Sequence, residues 1–449
     1  MFRRALAHLH ETLGPAMLVV AGTTLVAAVA LVVMPTRDAA DQRFWTFAAT
    51  HAEAAETASG AFLTETGRSY DVTVLPRQAM DLRLTTSLDS DSTALPDVLQ
   101  LDAAAATRLL DRDGGVPFLP LDDRPELAEI IAATVPNRLD LWRRGGRLYG
   151  LSVDVHPVAL AYRIDLWAEA GLDPTQAATW PELAELCQRY TAFHDRPALE
   201  LNPTSSEHAT LLLQQARPDA EAAASGPMLE HDALDDVLLF LANLLATDVA
   251  APATRGHARW ARDFAAGDLG ILWMPDWRVA YLRAAAPELA GNVGLMPLPR
   301  WSDAGPRTAG WGGTMLAIPA NTPDPDAAVE LLAFLAAGEP VVEARLAGTD
   351  IVPAIGDDTL DVEADDYFAS GPPRSLYAEL AAHVEMPRPT ADYLAAAGHV
   401  GVILSSTTAD LRAELPEAEV FERLQNRLAA AQADVNRRRR TPRRGHRRR

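Results

Sequence analysis

The stretch FWTFAATHAEAAETASGAFLTETGRSYDVTVLP, residues 44–76, indicates the fold class. It opens with an apolar, aromatic run typical of a buried strand that ends near Thr50 and His51, continues as an amphipathic helix that ends at Gly67, and closes on a second strand, YDVTVLP. A third strand, LPDVLQLD, and a helix that ends at glycine follow. This β-α-β-α alternation predicts an α/β fold with parallel strands covered by helices.

The same alternation returns later in the chain. The helical pattern TWPELAELCQRYTAFH (179–194), the strand ALELN and helices between Ser206 and Leu245 predict a second α/β lobe. Three further strands are predicted in FAAGDLGILWMPDW, GNVGLMPLPRW and GWGGTMLAIPA, and helices dominate from Asp326 onward. Because no low-complexity linker separates the lobes, we expect the chain to cross between them more than once.

Composition and charge limit the kinds of partner that the protein can bind. The 449 residues are 48% hydrophobic and carry a formal net charge of −21, so a large core is possible and the body should repel nucleic acid. Residues 436–449 form an arginine-rich tail that we expect to be solvated and disordered, with phosphate binding as the alternative. The single cysteine, Cys187, lies in a helical pattern and is expected to be a buried small hydrophobe, which excludes an intrachain disulfide and a lipid anchor.

The N-terminal region predicts export. Residues 14–34, GPAMLVVAGTTLVAAVALVVM, contain no charge over 21 residues, which is enough for one transmembrane helix. Arg3 and Arg4 precede this segment, so the positive-inside rule keeps residues 1–13 cytoplasmic and places the body outside. Cleavage as a signal peptide, near Ala28 and Ala30 or near Ala39 and Ala40, is the alternative, and it also gives an extracytoplasmic body.

The order of these segments resembles the family-1 extracellular solute-binding proteins of ABC transporters, the group that includes the maltose-binding protein. Besides the stretches quoted above, the likeness includes LYGLSVDVHPVALAYRIDLWAEAGLD (148–173) and MPRPTADY (386–393). It implies a two-lobed type II periplasmic-binding-protein fold that acts as a monomer, closes by hinge motion and docks on ABC permease subunits. It places lobe one at 42–153 plus 311–350, lobe two at 156–306 plus 354–432, and the crossings near 153–158, 297–311 and 351–355.

Candidate ligand-binding residues follow from this resemblance and from strand ends. Ligands of open parallel sheets bind beyond the carboxyl ends of strands, which favours Thr50, His51 and Asp102. Sugars need flat apolar faces together with hydrogen-bond acceptors, so aromatic and acidic residues in one cleft suggest carbohydrate. Trp277 matches a family position where an aromatic ring stacks on sugar, and Asp276 beside it is a candidate acceptor of hydroxyl hydrogen bonds.

Further candidates lie near the crossings. The strand that returns to lobe one begins at Trp311, where Gly312 and Gly313 would let a ligand approach the backbone. Asp154 and His156 lie in the first crossing, with buried structural hydrogen bonding as the alternative. Asn202 and Tyr393 are also candidates for ligand binding. The alternative is that each serves only as a cap or turn residue. Trp45 is expected in the core.

Rival functions have less support in the sequence. No G-x-S-x-G elbow, H-E-x-x-H zinc motif or phosphate-binding loop is present, so we expect neither catalysis nor a cofactor nor a metal. The same fold could serve as a membrane-tethered ligand sensor or scaffold, although only about 13 residues precede the hydrophobic segment. It could also bind a polyamine, an oligopeptide or an anion; the acidic body favours cations over anions, and the tryptophans favour sugars.

Overall fold

A computed structural model describes residues 40–88, 95–112, 114–216, 228–253, 257–302, 305–355, 366–386 and 390–440. The strands, in chain order, are β1 (Gln42–Thr46), β2 (Tyr70–Val74), β3 (Val98–Asp102), β4 (Arg143–Arg144), β5 (Arg147–Leu148), β6 (Val158–Arg163), β7 (Leu199–Leu201), β8 (Ala250–Pro252), β9 (Ile271–Pro275), β10 (Val293–Pro297) and β11 (Thr314–Ala317).

The α-helices are α1 (Ala49–Thr66), α2 (Arg77–Leu88), α3 (Ala103–Leu110), α4 (Ala128–Ala133), α5 (Pro136–Asp140), α6 (Ile164–Glu169), α7 (Trp180–His194), α8 (Glu207–Gln215), α9 (Leu234–Ala246), α10 (His257–Ala265), α11 (Arg278–Ala285), α12 (Pro325–Ala337), α13 (Glu339–Gly348), α14 (Pro373–Ala381), α15 (Ala391–Arg412) and α16 (Glu417–Arg440). Single turns of 3₁₀ helix occur at Pro125–Leu127, Pro174–Gln176, Met228–Glu230 and Pro287–Leu289.

Two larger sheets organise these elements. The first has the order β11-β3-β1-β2, in which β1, β2 and β3 are parallel and β11 is antiparallel to β3. The second has the order β10-β6-β9-β7-β8, in which β6 is antiparallel to both of its neighbours. The mixed α/β fold predicted from the sequence is therefore present.

The helices cover the sheets and bury separate cores. Helices α1 and α13 pack on each other beside the first sheet, whose core includes Phe44, Phe62 and Leu101. On the second sheet, α9 packs against α15, and α15 packs against α16. Trp167, Trp180 and Cys187 are fully buried in that core, as Cys187 was expected to be.

Three chain segments run between the two sheets side by side. Three isolated β-bridges join these segments: Leu151 to Leu316, Asp154 to Pro353, and Pro157 to Gly310. The segment 151–157 thus lies between the segment that leads into β11 and the segment that follows α13. All three lie at the edge of each sheet where the parallel strands end, because β6 begins beside Pro275 and β11 begins beside Asp102.

The first strand is shorter than its sequence pattern predicts. It ends at Thr46, and Thr50 and His51 lie in the first turn of α1 instead of at a strand end. The Thr46 hydroxyl accepts a hydrogen bond of 3.0 Å from the Ala48 N–H, which turns the chain immediately after the strand. The alanines that follow favour helix. Gly67, with φ +72°, ends α1 as predicted.

The two chain ends differ in what the structure describes. Residues 14–34, the predicted membrane segment, lie outside the described residues, and none of the described helices has the length and apolar character needed to cross a bilayer. At the other end, α16 continues to Arg440, so residues 436–440 of the predicted disordered tail are helical. Asp434 supports this turn by pairing with Arg437 and Arg438 at 3.1 and 2.8 Å.

Candidate functional site

The carboxyl ends of the parallel strands meet at the crossing segments. Asp102 ends β3 opposite Thr314, the first residue of β11, and the Ala103 N–H donates to the Gly313 carbonyl at 3.1 Å. In the second sheet, β9 ends at Pro275, and Asp276 and Trp277 follow directly. Polar and aromatic side chains from both sheets are therefore collected around one interlobe region, as expected for a ligand cleft.

Trp277 and Trp311 form an aromatic pair in this region. Their ring centroids are 6.1 Å apart and the ring planes are nearly perpendicular, at 79°. The Trp277 indole N–H donates to the Trp311 main-chain carbonyl at 3.0 Å, and the Trp311 N–H donates to the His156 carbonyl at 3.0 Å. Both tryptophans are half-buried. The pair thus offers aromatic surface at the point where the chain leaves the second sheet.

Arg278 fixes the orientation of these rings. Its guanidinium carbon lies 4.7 Å from the centroid of Trp260, 4.9 Å from Trp311 and 5.6 Å from Trp277. Its Nη1 donates to Glu200 Oε1 at 2.5 Å and to the Trp273 carbonyl at 2.9 Å. A buried cation among indole faces is favourable because the ring quadrupoles attract it.

His208, in the first turn of α8, lies against the same cluster. It is 3% exposed, and its ring centroid is 5.4 Å from that of Trp311. Burial and the positive charge of Arg278 lower the pKa of His208 to about 3, so the imidazole is neutral. Its Nδ1 accepts from the Asn202 main-chain N–H at 3.3 Å, which leaves the proton on Nε2. Within the described residues that Nε2 has no hydrogen-bond partner.

A buried ionic network lies behind the aromatic pair. His156 Nδ1 is 2.9 Å from Asp276 Oδ1, and His156 Nε2 is 3.4 Å from Asp154 Oδ2. The same Asp154 oxygen is 3.0 Å from His51 Nε2 and accepts from the Thr314 hydroxyl at 3.2 Å. The network therefore joins α1 and β11 of the first sheet to the strand end of β9 in the second.

The network is charged at neutral pH. Both ring nitrogens of His156 face carboxylates, so both act as donors and the ring is an imidazolium. Burial opposes this charge, but Asp276 and Asp154 outweigh burial and raise the pKa of His156 to about 10. Burial likewise disfavours the Asp154 carboxylate, but His51 and His156 hold its pKa well below the usual range.

Asp276 has its hydrogen bonds filled by the protein. Its Oδ1 accepts from Trp277 N–H at 2.7 Å as well as from His156, and its Oδ2 accepts from Val352 N–H at 2.9 Å. Asp154 and Asp276 are both completely buried. Among the residues the structure describes, no group of three or more histidine, cysteine or acidic residues is placed to hold a metal ion.

Gly312 and Gly313 let the chain pass close to these residues. Their φ angles are +132° and +120°, which L side chains rarely adopt. A Cβ on Gly312 would lie 2.9 Å from His156 Cδ2, so a side chain there would displace the imidazole. His156 itself has φ +56°, an uncommon conformation for a residue other than glycine. The turn and the ionic network therefore depend on each other.

The remaining predicted residues lie at the periphery or serve local structure. Thr50 Oγ1 is 3.5 Å from His51 Nδ1. Asp102 caps α3 by accepting from Ala105 N–H at 2.8 Å. Asn202 accepts from the N–H and hydroxyl of Thr204, which forms a tight turn after β7.

The hydroxyl of Tyr393, in α15, donates to the hydroxyl of Thr210 at 3.1 Å, and Tyr393 is half-buried. The predicted set thus divides by exposure. At least partly exposed are Thr50, Asp102, Trp277, Trp311, Gly312 and Tyr393; buried are His51, Asp154, His156, Asn202, Asp276 and Gly313.

Sequence reasoning missed Arg278, Glu200 and His208. Glu200 alternates with leucines in ALELN, and a charge inside a buried strand is a signal of a buried partner. Arg278 follows Trp277 directly, yet nothing in the sequence shows that it returns to three tryptophans. His208 is a single histidine in a helix, and its tautomer depends on a main-chain contact with Asn202.

Two α/β lobes are joined by three crossing segments, and aromatic and polar side chains gather where the segments cross. The chain belongs to the bacterial extracellular solute-binding protein family, whose family model matches residues 57–367. It is 25% identical over 306 residues to the arabinooligosaccharide-binding protein of Bacillus subtilis (strain 168), a match that covers 66% of this chain and 69% of that relative.

Solved structures share the fold. The sugar-binding protein MalE from Xanthomonas citri superposes with a TM-score of 0.68 at 21% identity, covering 89% of this chain and 98% of that one. UgpB from Mycobacterium tuberculosis, solved in complex with glycerophosphocholine, gives a TM-score of 0.66 at 20% identity and covers 88% of this chain and 99% of that one. The fold is therefore that of the two-lobed binding proteins.

Proposed function

We propose that this protein is the extracytoplasmic substrate-binding component of an ABC transporter, that it binds an oligosaccharide between its two lobes, and that it delivers this solute to a permease. The observation that carries the proposal is the half-buried pair Trp277 and Trp311 beside the crossing segments. Indole faces pack on the C–H surfaces of sugar rings, and neutral donors nearby can meet the hydroxyls. The arabinooligosaccharide-binding relative supports a carbohydrate of more than one ring.

We use side-chain exposure to assign each candidate residue either a solute contact or a positioning role. The partly exposed members of the set are the contacts we assign to the solute. Asp154, His156 and Asp276 are buried and engaged with one another, so we assign them a positioning role between the lobes. Lobe one is assigned to 42–153 plus 311–350, and lobe two to 156–306 plus 354–432.

Binding would act by a population shift. A solute that touches residues of both lobes makes its full set of contacts in the closed form alone, so it favours closure about the three crossing segments. The closed form would dock on permease subunits, and residues 14–34 would hold the body at the outer face of the cytoplasmic membrane. The transport partner is inferred from the family to which the chain belongs.

A second candidate is a solute with a cationic ammonium group, such as a polyamine or a zwitterionic choline-type phosphodiester. The acidic net charge and the structural likeness to UgpB favour it. The aromatic cluster argues against it, because the guanidinium of Arg278 already occupies the space among Trp260, Trp277 and Trp311. A cationic solute would meet a resident positive charge of the same sign.

Thermal melting of the full chain in a mild detergent tests the proposal, because a ligand that binds only the folded protein raises the melting temperature. The panel contains arabino-, malto- and galacto-oligosaccharides, polyamines and glycerophosphocholine. A saturable rise with an oligosaccharide supports the proposal, and a rise with a cation alone favours the second candidate. No response from a folded sample contradicts solute delivery and favours a sensor or scaffold.

A further inference from the structure

A small internal cavity lies in the first lobe, away from the aromatic pair. It is lined mainly by residues of α1, α13 and the first sheet and is partly open, and its apolar wall includes Phe44, Ala55 and Leu316. Its volume is about 10 Å³, which is close to the space of a single water molecule. Two polar side chains, His51 and Arg345, also line it.

Arg345 lines this cavity and has hydrogen-bond donors without a partner among the described residues. Its side chain is 1% exposed, and its Nη1 lies 3.9 Å from Asp154 Oδ1, which is beyond hydrogen-bond distance. Its Nε and Nη2 have no hydrogen-bond partner within the described residues, and neither does Asp154 Oδ1. Buried guanidinium groups are normally fully engaged, because an unsatisfied charged donor costs more than a neutral one.

The charges of the buried ionic network that Arg345 adjoins do not cancel. Two carboxylates, Asp154 and Asp276, face three cations: the imidazolium of His156, Arg138 and Arg345. Arg138 is also buried, and its hydrogen bonds go to the Val155 carbonyl and the Met386 sulfur, so it brings no further anion. His51 contributes no negative charge in either protonation state. The buried group therefore carries at least one positive charge in excess.

We propose that the cavity beside Arg345 binds a single monatomic anion of the halide type, with chloride as the natural occupant. A halide is only slightly larger than water, accepts several hydrogen bonds from any direction and tolerates an apolar wall. It would take the free Nε–H and Nη2–H of Arg345 and cancel the excess charge at once. A water molecule would satisfy the donors and leave the charge uncompensated.

This site differs from the solute cleft in position and in ligand. It would stabilise the folded lobe and fix Arg345 behind Asp154, and through Asp154 it would support the contact of His51 and His156 between the lobes. The inference does not depend on which solute the cleft binds, because neither Trp277 nor Trp311 lines this cavity.

The test compares melting temperatures of the full chain, in a mild detergent, in chloride, bromide and gluconate at equal ionic strength. The expected result is a saturable rise of several degrees with chloride or bromide over gluconate. Crystals grown in bromide should show an anomalous peak within hydrogen-bond distance of Arg345 Nη2. Equal melting in all three salts, or a peak absent from a well-ordered cavity, would overturn the proposal.

Three variants make the test specific. Arg345→Met removes the excess charge and should abolish the halide effect. If that variant fails to fold, Ala55→Val, which fills the cavity and keeps every charge, should abolish the same effect. The matched control is Arg68→Met, because Arg68 is an exposed arginine paired with Glu330, and it should keep the full halide response. A halide effect that survives Ala55→Val would place the anion elsewhere and contradict the site.

Discussion

The indole N–H of Trp277 donates a hydrogen bond of 3.0 Å to the main-chain carbonyl of Trp311. Trp277 follows strand β9 of the second sheet, and Trp311 begins the segment that returns to the first sheet. An aromatic side chain at the cleft is therefore tied directly to a crossing segment. The hydrogen bond therefore links the position of the aromatic surface to the geometry of the two lobes.

Trp277 should contribute both its ring and its N–H. Trp277→Phe keeps an aromatic face and loses the hydrogen bond to Trp311, so we expect solute affinity to fall by less than tenfold, about 1 kcal/mol. Trp277→Ala also loses the stacking surface and should weaken binding by more than tenfold. Isothermal titration measures both. Trp301→Phe, a change in a half-buried tryptophan that packs on Phe240, should leave affinity unchanged; equal losses in all three variants would refute a specific role.

Stability should fall at alkaline pH because of His156. Its pKa is about 10 in the folded protein and about 6.5 in an unfolded chain, so the folded state holds one extra proton between these values. Its contribution is complete below about pH 6.5 and is lost as pH rises, by about 1.4 kcal/mol per pH unit. Urea unfolding between pH 7 and pH 9 should show this slope, and His156→Asn should flatten it.

The ionisation of the Cys187 thiol must be removed from that measurement of stability against pH. Burial raises the pKa of the Cys187 thiol, so its ionisation in the unfolded chain also lowers stability near pH 9. The comparison is therefore made in a Cys187→Ala background. The same slope with and without His156 would show that its imidazolium does not contribute.

Breaking the buried ionic network should be costly. Asp276→Asn leaves the His156 imidazolium without one of its two carboxylates, and we expect a loss of about 3 kcal/mol in the free energy of unfolding. Asp326→Asn is the control: Asp326 also pairs with a cation, Arg124, but its side chain is 84% exposed, so a change within about 0.5 kcal/mol is expected. Comparable losses in the two variants would argue against a structural network.

Gly312 and Gly398 should respond to alanine in opposite directions. At Gly312 the φ of +132° and the 2.9 Å approach of a Cβ to His156 predict destabilisation and weaker solute binding. Gly398 lies inside helix α15 with open space around it, and its substitution should stabilise the protein by about 0.5 to 1 kcal/mol. Thermal melting of the two variants side by side decides; a harmless Gly312→Ala would mean that the turn adapts easily.

The α/β fold could be predicted from the sequence because the periodicities of strands and helices are local properties. The first three residues of FWTFAAT and the last five of LPDVLQLD lie in buried strands, and Gly67 ends α1, since burial pattern and glycine conformation are properties of short segments. The boundary after β1 was wrong by a few residues because a single side-chain bond from Thr46 turns the chain. The arginine-rich end was wrong at 436–440 because ion pairs to Asp434 extend the helix.

The site could be predicted only in part. Trp277 and Trp311 were found because strand ends and crossings have recognisable sequence neighbours. Arg278 was missed because its role depends on Trp260 and Trp311, which are 18 and 33 residues away in the chain. Burial of Asp154 and Asp276 depends on how the two lobes meet, and no local pattern contains that information.

The most direct test of the central proposal is isothermal titration of the full chain, in a mild detergent, with the oligosaccharide that gives the largest melting shift. The wild type is compared with Trp311→Ala and with Trp301→Ala, each shown to be folded by its melting curve. The account predicts one solute per chain, a loss of more than tenfold in affinity for Trp311→Ala, and unchanged affinity for Trp301→Ala. Undiminished binding by folded Trp311→Ala would contradict a carbohydrate site at this aromatic pair.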